Sequence, residues 1–245
     1  MKTKSKIVLS LLLLICTASM AQTWEYVNLR QYRVKDMDVL TAFVKNAYPY
    51  FNQNSRVTTA GRFAASGESG RIYAATYFTT MDQFTNFLKE RNNVWDEYAK
   101  SAGNLAQSQI DNTDGGTVDV LWHLNKDLSN IPTGYDGSKM TWRKLHFVTI
   151  KPGMMNEYEA LMKKVLEAEK KAGIIYTELI FNVVYGAPSN TLLLSLPTSN
   201  ALDYYTGLAA RQKIREANPE IVTMRKKLVS MTSNTLLDQI TSIQY

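Results

Sequence analysis

The chain has 245 residues, 45% of them apolar and 20% charged, with 28 Lys+Arg against 22 Asp+Glu and a net charge of +6. These values exclude a disordered, collagen-like or coiled-coil chain and leave room for one large domain or two small ones. The basic residues are spread out in short clusters such as Lys163-Lys164 and Arg225-Lys226-Lys227, which read as solvated helix faces, so no nucleic-acid partner is expected.

Residues 1–21 read as a signal peptide. Lys2, Lys4 and Lys6 form a basic start, Ile7 to Ile15 an apolar run too short for a permanent span, and Ser19 and Ala21 a cleavage site before Gln22. Export to the periplasm or the exterior is therefore expected, with no transmembrane span. Cleavage removes three lysines and half of the net charge. It also removes Cys16, the only cysteine, which excludes disulfides and cysteine–zinc sites from the mature chain.

Residues 23–35 alternate as a strand, and Leu40, Phe43, Val44, Ala47 and Phe51 have helical spacing. Segments 56–64 and 71–79 form a hairpin around Gly67 and Gly70. Phe84, Phe87, Leu88, Trp95, Tyr98, Ala102 and Leu105 make one long helical stripe, and Asp114-Gly115-Gly116 turns the chain into a last strand, 117–124. A polar linker covers 129–137. The order then starts again: a strand from Thr141-Trp142 to Ile150-Lys151, and a helix carrying Met155, Tyr158, Leu161, Met162 and Val165 that ends near Gly173. Two more strands follow, then a helical region broken at Asn218-Pro219, where Asn218 is a candidate cap.

The second series lies 118 positions after the first. At that offset Thr23-Trp24 meets Thr141-Trp142, Phe63 meets Phe181, Ala74–Phe78 meets Leu192–Leu196, Thr80 meets Thr198 and Thr117 meets Thr235. The expected domains are thus a first repeat, 22–128, and a second, 138–245. The expected fold is α+β: two tandem ferredoxin-like βαββαβ units packed sheet-to-sheet.

Two such units in tandem resemble the dimeric α/β-barrel superfamily across the whole mature chain. That resemblance implies two facing sheets around a pocket, covered outside by helices. Its members include antibiotic-biosynthesis-type monooxygenases, haem-degrading enzymes, and chlorite-dismutase-like and dye-peroxidase-like haem proteins. Haem enzymes of the superfamily take an axial histidine from a helix, and the helical regions here contain none. The haem-degrading members share an asparagine on a first strand, here Asn28, with tryptophans nearby. The dye-peroxidase motif G-x-x-D-G is met at 111–115 except for its first glycine, which is Asp111. No cofactor is predicted, although the resemblance keeps haem open.

Strand alternation divides the first strand into an apolar face, Val27 and Leu29, and a mixed face, Trp24, Tyr26, Asn28 and Arg30. The second series has Leu145 and Phe147 on one face and Trp142, Lys144 and His146 on the other. The apolar faces are expected to meet the helices and the mixed faces to line the cavity between the sheets. Glu178 and Asn182 interrupt an apolar strand and are expected to point the same way. His146 is the candidate catalytic residue, as a general base oriented by Glu178. No metal site is expected, because the two histidines, His123 and His146, fall short of a ligand set. The favoured function is binding of a small, partly aromatic molecule between the sheets. The alternative is a cofactor-independent monooxygenase or a haem-using enzyme.

Overall fold

A computed structural model describes residues 24–239, apart from 55, 57–58 and 68–70. The expected signal peptide, with Cys16, lies outside the described residues. The first half contains β1 (Tyr26–Val34), α1 (Met37–Gln53), β2 (Gly61–Gly67), β3 (Arg71–Phe78), α2 (Met81–Ala102), α3 (Asn104–Asn112) and β4 (Thr113–Leu124). The second contains β5 (Trp142–Ile150), α4 (Met155–Lys171), β6 (Leu179–Tyr185), β7 (Thr191–Thr198), α5 (Ala201–Ala217), α6 (Pro219–Leu228) and β8 (Val229–Gln239). Among the described residues no helix is long and apolar enough to cross a membrane.

All strand pairs are antiparallel, and the eight strands close into a barrel in the order β1-β3-β2-β8-β5-β7-β6-β4. Each half contributes four neighbouring strands in the order fourth, first, third, second. The two four-stranded sheets face each other and are also joined edge to edge, β2 to β8 and β4 to β6. Closure leaves no unpaired sheet edge among the described residues.

The helices begin where side chains satisfy their first backbone N–H groups. Asp36 accepts from the N–H of Asp38 and Val39, Thr80 from Gln83, and Asn200 from Asp203. Three local expectations are corrected. The long helical stripe of the first half is two helices, broken at Gly103, whose φ of 51° favours glycine. Residues 114–116 are no turn: β4 already starts at Thr113, and pairing with β1 continues through a register shift between Gln31 and Arg33. Asn218 does not cap α6 with its side chain. Its amide donates back to the carbonyl of Ile214 at 2.8 Å.

The main correction concerns which strand face looks inward. The barrel interior is filled by Val27, Leu29, Tyr73, Ala75, Val120, Trp122, Leu124, Leu145, Leu179, Phe181 and Leu193, with Phe147 and Val183 against them. The apolar faces therefore point into the barrel, and the mixed faces lie outside, under the helices. An eight-stranded barrel is only wide enough for its own side chains, and its interior is shielded from water all round, so the strictly apolar face belongs there. A helix layer shields only in part and tolerates polar groups at its margins. A residual space of about 30 Å³ remains inside, enough for a water molecule but not for an aromatic ligand.

Candidate functional site between the first sheet and its helices

A cavity of about 430 Å³ lies outside the barrel wall, between β1, β3 and β4 and the helices α1, α2 and α3. That size falls within the roughly 300–1,000 Å³ of small-molecule sites. Its walls are aromatic: Phe43, Tyr48 and Phe51 from α1, and Phe87 and Trp95 from α2. The spacing that marks these residues as an amphipathic helix face also brings their rings together, Trp95 lying 5.9 Å from Phe43 and 6.5 Å from Phe51.

The floor is polar and comes from three neighbouring strands. Arg30 stands opposite Asp119 in the β1–β4 register and grips it with two hydrogen bonds, Nε to Oδ1 at 3.0 Å and Nη2 to Oδ2 at 2.9 Å. The Asn28 amide nitrogen donates to the same Oδ1 at 3.2 Å. Asn28 is only 5% exposed, and its Oδ1 has no hydrogen-bond partner. Burial opposes the Asp119 charge, but Arg30 and Asn28 outweigh it and hold the carboxyl below its ordinary range. Burial, reinforced by Tyr48, pushes the Tyr32 phenol well above its ordinary value. Half-buried Arg91, from α2, stands at the cavity with its guanidinium 5.9 Å from the Phe87 ring. Burial and then the neighbouring Arg30 pull it below the usual arginine value.

In the second half the space over the corresponding strand positions is filled, and a smaller cavity of about 200 Å³ lies nearer the start of α5, lined by Leu196, Thr198, Tyr204, Gly207 and Arg211. Arg30 and Ala74 are partners in the β1–β3 register, and Val148 and Leu192, 118 positions on, are partners in the β5–β7 register. Thr76, opposite Asn28, corresponds to Leu194, opposite His146. Tyr32 corresponds to Ile150. Val148, Ile150, Leu192 and Leu194 are all buried in one cluster with Tyr158, Leu161 and Val165 of α4. Large aliphatic side chains thus occupy the volume that Ala74 and Thr76 leave open in the first half.

The sequence-derived candidates divide accordingly. Asn28 and Arg30 reach the cavity. Trp24 packs at the barrel interior against Tyr77, at 4.7 Å, and Phe181. Tyr26 lies on the helix side with its ring 4.7 Å from that of His123. Trp142 packs against Tyr204 and Leu196 under α5. Lys144 and His146 follow on that same outer face of β5, half-buried. Asn182 alternates with the inward Phe181 and Val183 and so is on the outer face of β6, its Oδ1 buried without a partner. Glu178 is buried beside α5, where Arg211 donates to it at 2.9 Å. These residues do not converge on one site. Sequence reasoning missed Asp119 and Arg91; the opposition of Arg30 and Asp119 across two strands needs the register, which a sequence does not print.

Neither protein-family models nor curated proteins give a match to the chain. Solved structures do. A candidate monooxygenase from Fusobacterium nucleatum aligns with a TM-score of 0.58 at 15% identity, covering 90% of this chain and 94% of its own. An anthrone oxidase-like protein aligns at 0.57 and 8% identity, covering 90% and 93%. The fold is that of the dimeric α/β barrels. A haem-binding protein from Thermus thermophilus shares it as well, at a TM-score of 0.51 and 6% identity over 89% and 92% of the two chains. The cavity of this barrel does not fit a haem of the usual ligation. Its lining residues include no histidine, cysteine or methionine, and of its two tyrosines the half-buried Tyr32 is held well above its ordinary pKa, away from the ionised, ligating form.

Proposed function

We propose that the protein binds a small aromatic molecule in the cavity between the first sheet and its helices, and that it does so after export. The observation that carries this reading is the Asn28 Oδ1, buried without a partner on the polar floor of an aromatic-walled cavity. An unsatisfied buried acceptor costs about 1–3 kcal/mol, which a hydroxyl or N–H on the ligand would recover. Phe43, Phe51 and Trp95 supply stacking surface, and Arg30, pinned by Asp119, is preorganised beside it.

A second reading, a cofactor-independent oxygenase, is favoured by Arg30 and Arg91, two cations placed to stabilise an aromatic oxyanion. Candidate monooxygenases among the structural neighbours support it by analogy of fold. Asp119 is held too acidic and Tyr32 too basic to serve as a general base near neutral pH, so such an enzyme would act on a substrate already ionised.

The mature protein titrated with 2-naphthol, followed by tryptophan fluorescence and calorimetry, tests the binding reading. Saturable binding is expected, weakened about tenfold by Asn28→Leu and abolished by Ala74→Leu/Thr76→Leu, which copies the packed half. Binding that survives the double substitution refutes this location. Oxygen consumption with ionised polyphenols separates the oxygenase from the binding protein.

A further inference from the structure

Arginine occupies the same helical position in both halves. α2 and α5 start after the capping residues Thr80 and Asn200, and Arg91 and Arg211 are each the eleventh residue that follows. In the second half Arg211 is buried and fully engaged. Its Nε donates to Glu169 at 2.8 Å and its Nη2 to Glu178 at 2.9 Å, while its guanidinium lies over the Tyr176 ring at 4.2 Å.

Both of those carboxylates are missing from the first half. α1 and α4 have equal lengths, and Glu169, the fifteenth residue of α4, corresponds to Phe51 of α1. Glu178, immediately before β6, corresponds to Ala60, immediately before β2. The carboxylate near Arg91 is Asp119, and both of its oxygens are already committed to Arg30 and Asn28. Among the described residues Arg91 forms no ion pair, and where Arg211 meets two glutamates it faces an aromatic cavity. Two guanidinium groups and one carboxylate leave this cavity with one positive charge unbalanced.

We infer that Arg91 makes the cavity selective for aromatic carboxylates, the ligand's carboxylate taking the place that Glu169 and Glu178 hold at Arg211. The inference rests on the binding reading above and names its ligand class. A carboxylate offers two acceptor oxygens to the planar guanidinium, and a one- or two-ring framework reaches from there to Phe51, Phe87 and Trp95. The second half supplies the template, because it shows which anion a guanidinium at this helical position takes from its surroundings.

The probes are 2-naphthoate and its neutral counterpart 2-naphthamide, titrated into the mature protein by calorimetry at neutral pH. Naphthoate is expected to bind at least tenfold more tightly, and Arg91→Met to erase that preference while naphthamide still binds. Phe51→Glu gives Arg91 the carboxylate that Arg211 has, and is expected to erase the preference by occupying the cation. Thermal unfolding and circular dichroism establish that each variant is folded, and the two variants perturb different elements. Equal affinities for the two probes in the unmodified protein, or a preference that survives both substitutions, overturns the inference. If naphthamide binds and Ala74→Leu/Thr76→Leu blocks it, the cavity reading stands even then. Failure of both probes and of 2-naphthol to bind overturns the reading and the inference together.

Discussion

Removing the cation from the Arg211 cluster is a severe test of the packed half. Arg211 is 4% exposed, Glu169 1% and Glu178 4%, and Tyr176 donates its hydroxyl to Glu169 as well. Burial opposes the Arg211 charge, but the two carboxylates and Tyr176 more than offset it and hold the proton on the guanidinium. Arg211→Met keeps the length of the side chain and leaves the two buried carboxylates without the cation that hydrogen-bonds them, Arg215 being the remaining nearby positive charge. Breaking a buried pair from one side costs about 3–5 kcal/mol, which for a chain of this size lowers Tm by roughly 6–20 °C. Urea unfolding at neutral pH measures it. A loss below about 1 kcal/mol would mean that water reaches these carboxylates and that the cluster is a surface ion pair.

Two further substitutions probe the barrel wall and its interior. Gly186 has a φ of 92°, and a Cβ there would lie 2.3 Å from the backbone oxygen of Asp119, so Gly186→Ala should cost roughly 1–3 kcal/mol in urea unfolding and disturb the Arg30–Asp119 register. Trp122 fills the interior at 1% exposure with its indole N–H unpartnered, so in the same assay Trp122→Phe should cost far less than the about 3–5 kcal/mol of Trp122→Ala.

Element order was legible in the sequence because strand and helix periods differ and because the second series restates the first. Leu40, Val44 and Ala47 repeat at helical spacing, the first two buried where α1 meets the sheet and Ala47 where it meets α2 and α3. Facing was not legible from one strand. Val27 and Leu29 alternate with Asn28 and Arg30 whichever way the strand is turned, and only barrel closure decides that the apolar side is the enclosed one. Asn28 and Arg30 were singled out because alternation put them on the mixed face of their strand, although that face was expected to line the space between the sheets rather than the space under the helices. Arg91 was hidden in a helical stripe, where a cation reads as a solvated position. Comparing the halves residue by residue would have exposed the cavity it faces, since Ala74 against Leu192 and Thr76 against Leu194 change in the direction that opens space and Arg30 against Val148 places a charge beside it.

The asymmetry between the halves can itself be weighed as stability. Leu192 is 1% exposed in the second-half cluster, and Leu192→Ala should cost about 2–5 kcal/mol, since the site is enclosed and collapses only in part. Ala74 is its partner in position but borders 430 Å³ of open space. Ala74→Leu places three more carbons against Phe43, Phe51 and Trp95, each worth about 0.8 kcal/mol if fully buried, and a part of that should appear as added stability. One barrel thus offers two equivalent positions at which the same pair of side chains has opposite signs of effect. If folding alone had shaped the first half, the larger residue would be expected at position 74 as it is at 192, because cavities are costly and the aliphatic solution already exists in the same chain. A stabilising Ala74→Leu that abolishes binding of an aromatic probe would show that the open cavity is retained for its occupant. A destabilising Ala74→Leu, by contrast, would mean that the first half is packed for a different helix spacing and that its cavity follows from that geometry rather than from a ligand.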